Sequence, residues 1–155
     1  MVENWISDDL FPVTYHQARP TNDHDQEIYR RAVEMWNSGK QRFNYAIDQP
    51  KDKQTHKNTK SFLDRFKVLG GSETSSHTVV AHITKDGHYY IHPDIRQNRS
   101  ITPREAARLQ TFPDNYFFES ATNKDGRSSA YKQIGNAVPV MLARLIAEAL
   151  KKKFL

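Results

Sequence analysis

Tyr131-Lys132-Gln133-Ile134-Gly135-Asn136-Ala137-Val138-Pro139 leads into a run in which Val138, Met141, Leu142, Leu145, Ile146, Ala149 and Leu150 recur at helical spacing. These residues draw one wide apolar stripe. Gly135 can take backbone angles closed to other residues and Asn136 is a favoured N-cap, so the segment reads as a turn that launches a terminal helix. A glycine turn opening onto a helix N-terminus presents backbone N–H groups, a common way to hold a carboxylate or another anion. On pattern alone, the plainer account is an ordinary capped helix.

Working outward, the preceding motif is Arg99-Ser-Ile-Thr-Pro-Arg-Glu-Ala-Ala-Arg-Leu-Gln-Thr-Phe-Pro113-Asp114. Thr102 as N-cap, Pro103 at the first helical position and Glu105 at the third predict a capping box. Ala106, Ala107 and Leu109 give a small face that lets another element approach closely, and Phe112-Pro113 ends the helix. Arg104 and Arg108 lie one turn apart.

The residues themselves carry more than the pattern does. Gln-Ile-Gly-Asn-Ala-Val-Pro before an aliphatic helix closely resembles the last motif of the DNA cytosine-C5 methyltransferases. The motif from Arg99 to Asp114 resembles the penultimate one, in the right order and at the right distance. The resemblance implies that the closing segment lines the S-adenosylmethionine pocket, with contacts at Gly135, Asn136, Ala137 and Val138. It also implies that Arg104 and Arg108 mainly organise the recognition region, with DNA contact by Arg104 as a lesser role. One departure is Val140, where the family commonly has a second proline; Pro139 still suits a first helical turn. The resemblance is clearest over residues 76–150 and weaker over 15–69.

Composition limits what this chain can do alone. It has 155 residues, enough for one domain with a core, but only 37% are hydrophobic and the mean hydropathy is -0.82. Either some apolar surface is therefore meant for a partner, or some of the chain is mobile. A net charge of +5 and a pI near 9.4 are compatible with a polyanion without identifying one. The cysteine count is zero. Cytosine C5 methylation needs a thiolate to attack C6 of the base, so this chain cannot supply the nucleophile and is expected to be inactive alone. The family's N-terminal cofactor loop and its Glu-Asn-Val segment are also absent from the sequence. The chain can build one wall of the cofactor pocket and no more.

Elsewhere, residues 22–37 predict a helix with Asp23 and Gln26 as a capping box and Ile28, Tyr29, Ala32, Val33, Met35 and Trp36 as its buried stripe. Residues 61–66 predict one or two helical turns with Phe62, Leu63 and Phe66 inward. Residues 77–84 and 88–92, joined by Lys85-Asp86-Gly87, predict a β-hairpin. Thr78-Val79 matches the family's Thr-aliphatic pair in the target-recognition region, where the resemblance implies that the threonine meets the DNA backbone; β-propensity alone accounts for Thr78 equally well. With His82 and Lys85 they complete the DNA-binding expectation: Thr78, Val79, His82, Lys85 and Arg104. His77, His82, His88 and His92 crowd the same stretch, but with no cysteine and no helical His pair a metal site is not expected.

These readings assemble into an α+β fold. It is a partial small domain with a short β-hairpin or irregular sheet and several helices, ending in an amphipathic helix that would pack on a missing Rossmann-like catalytic domain. Residues 1–130 would be the target-recognition portion, and residues 131–155 the motif and helix belonging to the catalytic domain. The expected function is the C-terminal, DNA-recognising and pocket-completing part of an enzyme that transfers methyl from S-adenosylmethionine to cytosine C5 in duplex DNA, as in restriction-modification. The expected partners are duplex DNA and the catalytic half, with self-association through the last helix. Neither a membrane-spanning run nor a signal-peptide pattern is seen, so a cytoplasmic, nucleoid-associated protein is expected. The rival readings are a free-standing non-catalytic DNA-binding or interaction module, in which the last stripe would be covered within the chain, and a remnant without function.

Overall fold

The computed structural model describes residues 13–39, 41–55, 57–58, 60–70, 75–118 and 126–154. Its helices are α1 (Asp23–Gly39), α2 (Tyr45–Asp48), α3 (Pro103–Leu109), α4 (Gly126–Asn136) and α5 (Val140–Phe154), with single 3-10 turns at Lys51–Lys53, Ala81–Thr84 and Gly87–Tyr89. The described residues fall into two compact units. One lies within Ala18–His77 and Asp86–Ile101, the other within Met1–Gln17, Thr78–Lys85 and Thr102–Leu155. No helix of the described residues is long and apolar enough to cross a membrane.

The first unit is built on α1. Asn22, one residue before the predicted cap, accepts from the Asp25 amide at 2.8 Å and donates to the Asp25 carboxylate at 2.8 Å. The capping pair is therefore Asn22–Asp25, because the helix begins one residue earlier in the pairing than Asp23–Gln26 requires. Ile28, Tyr29, Ala32 and Val33 are buried as the stripe predicts, against Phe43, Tyr45, Phe66, Val68 and Ile91; Met35 and Trp36 pack at the edge. The Phe66 ring stacks on Tyr45 at 5.6 Å and meets Phe43 edge-on at 5.8 Å. Each such buried ring removes enough apolar surface from water to stabilise by about 2 kcal/mol. Phe62 does not turn inward: it is 66% exposed with a φ of 56°, and residues 61–66 form a turn rather than a helix.

The predicted β-hairpin and sheet are absent, so the α+β expectation is corrected: among the described residues there is no strand, only bridges of Ile91 with Val68 and with Ser100. Local side-chain bonds take over the backbone that a ladder would have used. Thr84 Oγ1 donates to the Ala81 carbonyl at 3.1 Å, closing the turn Ala81–Thr84. The Asp86 carboxylate accepts from the His88 amide at 3.0 Å, starting the turn Gly87–Tyr89. Asp-Gly thus begins a second 3-10 turn instead of reversing a hairpin. The bridge to Val68 takes both backbone groups of Ile91: its amide donates to the Lys67 carbonyl at 2.9 Å, and its carbonyl accepts from the Leu69 amide at 2.9 Å.

The second unit is organised around α3. Its capping box forms as read: the Thr102 hydroxyl accepts from the Glu105 amide at 3.1 Å, and the Glu105 carboxylate accepts from the Thr102 amide at 2.8 Å. Pro103, Arg104, Ala106 and Ala107 are buried. Arg104 is fully buried. Its guanidinium donates to the carbonyls of Thr14, Pro113 and Tyr116 at 2.8–3.1 Å and to Thr14 Oγ1 at 3.0 Å. One side chain therefore ties the chain at Thr14, ninety residues upstream, to the loop after α3.

Candidate functional site

The last motif is not a turn that launches a helix. α4 runs through Gly135 and Asn136, a short break follows, and α5 starts at Val140. Asn136 is the last residue of α4, not the N-cap of α5; the Pro139 carbonyl accepts the first bond of α5 from the Ala143 amide at 3.0 Å. Gly135 has no left-handed φ. What it needs is space: a Cβ there would meet the Val80 carbonyl oxygen at 2.7 Å and Ala81 Cα at 2.8 Å. The glycine lets α4 lie against the segment that holds the DNA-binding candidates.

The break between α4 and α5 is held by two residues that the sequence reading passed over. Gln110 follows α3 and is only 5% exposed. Its carboxamide nitrogen donates to the carbonyls of Ile134 at 3.1 Å and Ala137 at 3.2 Å, while its own carbonyl accepts from the Val140 amide at 3.1 Å. Thr111, at a φ of 58°, accepts from the Met141 amide through Oγ1 at 2.9 Å. A β-branched residue in that region stores roughly 1 kcal/mol or more of strain, which the surrounding bonds must hold. Together they bind the end of α4 and the start of α5, so the first two amides of α5, those of Val140 and Met141, are already engaged. One signal was available: Gln110 lies three and four residues beyond Ala107 and Ala106, on the buried face of α3.

The four cofactor candidates are thus brought together but presented unequally. Gly135 is half-buried against Val80, Ala137 is half-buried with its amide donating to the Ile134 carbonyl at 3.2 Å, Asn136 is exposed, and Val138 is 59% exposed. One carboxamide and one apolar side chain facing outward fit a single polar-and-apolar wall for a molecule such as S-adenosylmethionine. They do not enclose one.

Of the DNA-binding candidates, Thr78, His82 and Lys85 are exposed and lie within eight residues of one another on the second unit. Val79 and Ile83 are buried and anchor that segment. Val79 therefore serves as support, and Arg104, engaged and enclosed as described, is a structural residue rather than a surface one. Arg108 is paired instead: it donates to the Asp114 carboxylate at 2.6 and 2.8 Å. That hydrogen bond, ahead of simple charge attraction, holds the Asp114 carboxyl below its usual range.

The histidines have separate tasks. His77 Nε2 donates to the Tyr89 carbonyl at 2.5 Å, His88 Nδ1 bonds the Tyr29 hydroxyl at 2.8 Å, and His92 Nδ1 accepts from the Asp94 amide at 3.1 Å. Among the described residues no three His, Asp or Glu side chains gather to hold a metal ion.

Comparison with known proteins agrees with the motif resemblance. The profile of the C-5 cytosine-specific DNA methylases matches residues 2–152. The chain is 50% identical over 150 residues to the type II methyltransferase M.Bpa9945I of Bacillus paralicheniformis, covering 96% of this chain and 32% of that protein. It is 47% identical over 94 residues to the putative type II methyltransferase M.OihORF3336P of Oceanobacillus iheyensis, covering 61% of this chain and 19% of that protein. It is 40% identical over 93 residues to the type II methyltransferase M.AgeI of Thalassovita gelatinovora, covering 60% and 20%. The chain spans about a third of the length of the first relative and about a fifth of the other two. No solved structure matches it.

Proposed function

The chain belongs to the C-5 cytosine-specific DNA methylase family, and on that basis we propose that it is the C-terminal part of such an enzyme, contributing DNA grip and the closing helix of the catalytic domain. Residues 131–155 are then the piece that returns to the catalytic domain, and the preceding residues the recognition portion. The observation that carries this reading is α5: fifteen residues with an aliphatic stripe and no buried side chain. Leu142, Leu145, Ile146 and Leu150 are each about half exposed. A free-standing module would cover that stripe within itself, so its exposure weighs against the rival reading.

In the assembled enzyme, Thr78, His82 and Lys85 hold the DNA backbone. A threonine hydroxyl or an imidazole N–H donates to phosphate oxygens, and the lysine ammonium adds charge, fixing position without reading sequence. Asn136 and Val138 line one side of the cofactor, the carboxamide toward its polar part and the valine toward an apolar face. S-adenosylmethionine, when bound, supplies the methyl group. Gln110 and Thr111 hold the geometry of that wall by joining α4 to α5. The thiol nucleophile has to come from a polypeptide stretch other than these 155 residues, which contain no cysteine.

The test is complementation. The chain is assayed for methyl transfer to duplex DNA from labelled S-adenosylmethionine, alone and mixed with the cysteine-bearing remainder of a close family member. Activity on mixing and none alone is the expected result. Transfer by the chain alone, or no transfer on mixing despite a formed complex, rejects the reading.

A further inference from the structure

The first unit carries a cavity of about 310 Å³ that the function above does not use. Its floor is apolar: Phe43, Phe66 and Val68 are all at least nine-tenths buried. Trp36 and His77 contribute to its lining, and Arg42 and Lys67 bring cations to it. None of the described residues that line it is acidic. Asp64 lies 3.0 Å from the Lys67 ammonium, so these three charged groups sum to one positive charge. The volume is at the low end for small-molecule sites, the size of one aromatic ring system with a substituent.

The chemistry of the lining narrows the occupant. Aromatic side chains with an apolar floor accept the face of a flat ring, and base–aromatic stacking is worth about 1–3 kcal/mol. An exposed arginine beside that floor suits a phosphate, which a guanidinium binds through paired N–H donors. His77 has its ring 5.1 Å from Tyr90, stacked, with Nε2 donating to the Tyr89 carbonyl. That bond fixes the tautomer and leaves Nδ1 as an acceptor for an amino group. Burial, more than any neighbouring charge, lowers the His77 pKa and favours this neutral form.

We propose that this cavity is a nucleotide site that takes one unstacked base together with its phosphate. That the nucleotide belongs to DNA rests on the function proposed above; that the cavity binds a nucleoside monophosphate does not.

Trp5 and Trp36 are the two tryptophans, so Trp5→Phe makes Trp36 the reporter. Its fluorescence is followed with dAMP, deoxyadenosine, inorganic phosphate, an intact duplex, and the same duplex with one base opposite an abasic site. The expected result is quenching by dAMP with at least tenfold tighter binding than by deoxyadenosine or phosphate. Arg42→Glu, at an exposed position, should weaken dAMP at least tenfold with no change in urea midpoint. The abasic duplex should quench more than the intact one. If dAMP binds no better than phosphate, or Arg42→Glu leaves it unchanged, the cavity is not a nucleotide site. If dAMP passes and neither duplex binds, the site stands as one for free nucleotides and the assignment of its nucleotide to DNA falls. If both duplexes bind equally without quenching and dAMP fails, DNA recognition stands and the cavity proposal is overturned.

Discussion

α3 and α5 come from the two motifs that carry the family resemblance, and both begin beside a proline, yet they end in opposite environments. α3 has seven residues and buries four, including an arginine; α5 has fifteen and buries none, although its stripe is far more aliphatic. Hydrophobic periodicity therefore told which face of α5 wants cover, but not whose surface covers it. The arginine inverts the usual expectation that charge lies outside, because three carbonyls, a hydroxyl and the Phe118 ring at 5.5 Å receive it. α3 is held by this chain, and the stripe of α5 is left uncovered.

The largest effect should come from removing the cation on which α3 depends. Arg104→Met keeps much of the stem but leaves the carbonyls of Thr14, Pro113 and Tyr116 without their donor. We expect a loss of about 3–5 kcal/mol in urea denaturation. A loss below about 1 kcal/mol would mean that water reaches this arginine and that the contrast with α5 is overdrawn.

Gly135→Ala tests the join between α4 and the Thr78–Lys85 segment. The added Cβ would meet backbone at 2.7–2.8 Å, which cannot swing aside as a side chain could. A cost of about 2–3 kcal/mol is expected, against a small gain had the position been an ordinary helical glycine. The sign of the change in urea midpoint distinguishes the two.

Gln110→Leu asks whether α5 is oriented by α3 even though it is not covered by it. The substitution keeps the apolar stem and removes the donor to the Ile134 and Ala137 carbonyls. A loss of about 1–2 kcal/mol is expected. Amide hydrogen exchange should quicken in the first turn of α5 and at Ala137 while the first turn of α3 keeps its protection. Uniform loss of protection across both helices would make Gln110 part of the general core rather than a specific clamp.

Asp114→Asn is a smaller probe of the α3 side. The folded Asp114 pKa lies below its usual value of 3.8, so its contribution is fully present above about pH 4 and is lost as pH falls through the folded value. Because Arg108 is partly exposed, about 0.5–1 kcal/mol is expected at pH 7. The gap between wild type and variant should close below pH 4; a gap that persists at pH 2 would show that the ion pair is not its source.

What was legible in the sequence was local and had its partner close by in the chain. The α3 capping box needs only Thr102 and Glu105, and the buried stripe of α1 needs only its own spacing. What was not legible depended either on competing local bonds of similar reach or on distant partners. The hairpin at residues 77–92 failed because Thr84 and Asp86 close local turns and Ile91 pairs with Val68 and Ser100. Asn136 looked like an N-cap because nothing in Gly-Asn-Ala-Val-Pro reveals that the preceding helix continues through it. The clamp at Gln110 and Thr111 was hidden because its targets lie about 25–30 residues away, where no periodicity points.

Leu145→Lys together with Ile146→Lys should have the smallest effect on stability and the largest on assembly. Both residues are at least half exposed, so little packing is lost within the chain and lysine keeps helix propensity; the urea midpoint should move by no more than about 0.5 kcal/mol in equivalent stability. We expect the parent chain to self-associate at high concentration through this stripe and the double variant to sediment as a monomer. The variant should also fail to restore methyl transfer when mixed with the cysteine-bearing remainder. If it instead unfolds the chain, α5 is covered from within and the difference from α3 disappears. If it leaves both self-association and complementation intact, the stripe is exposed for no partner, and the C-terminal-part reading loses the observation on which it stands.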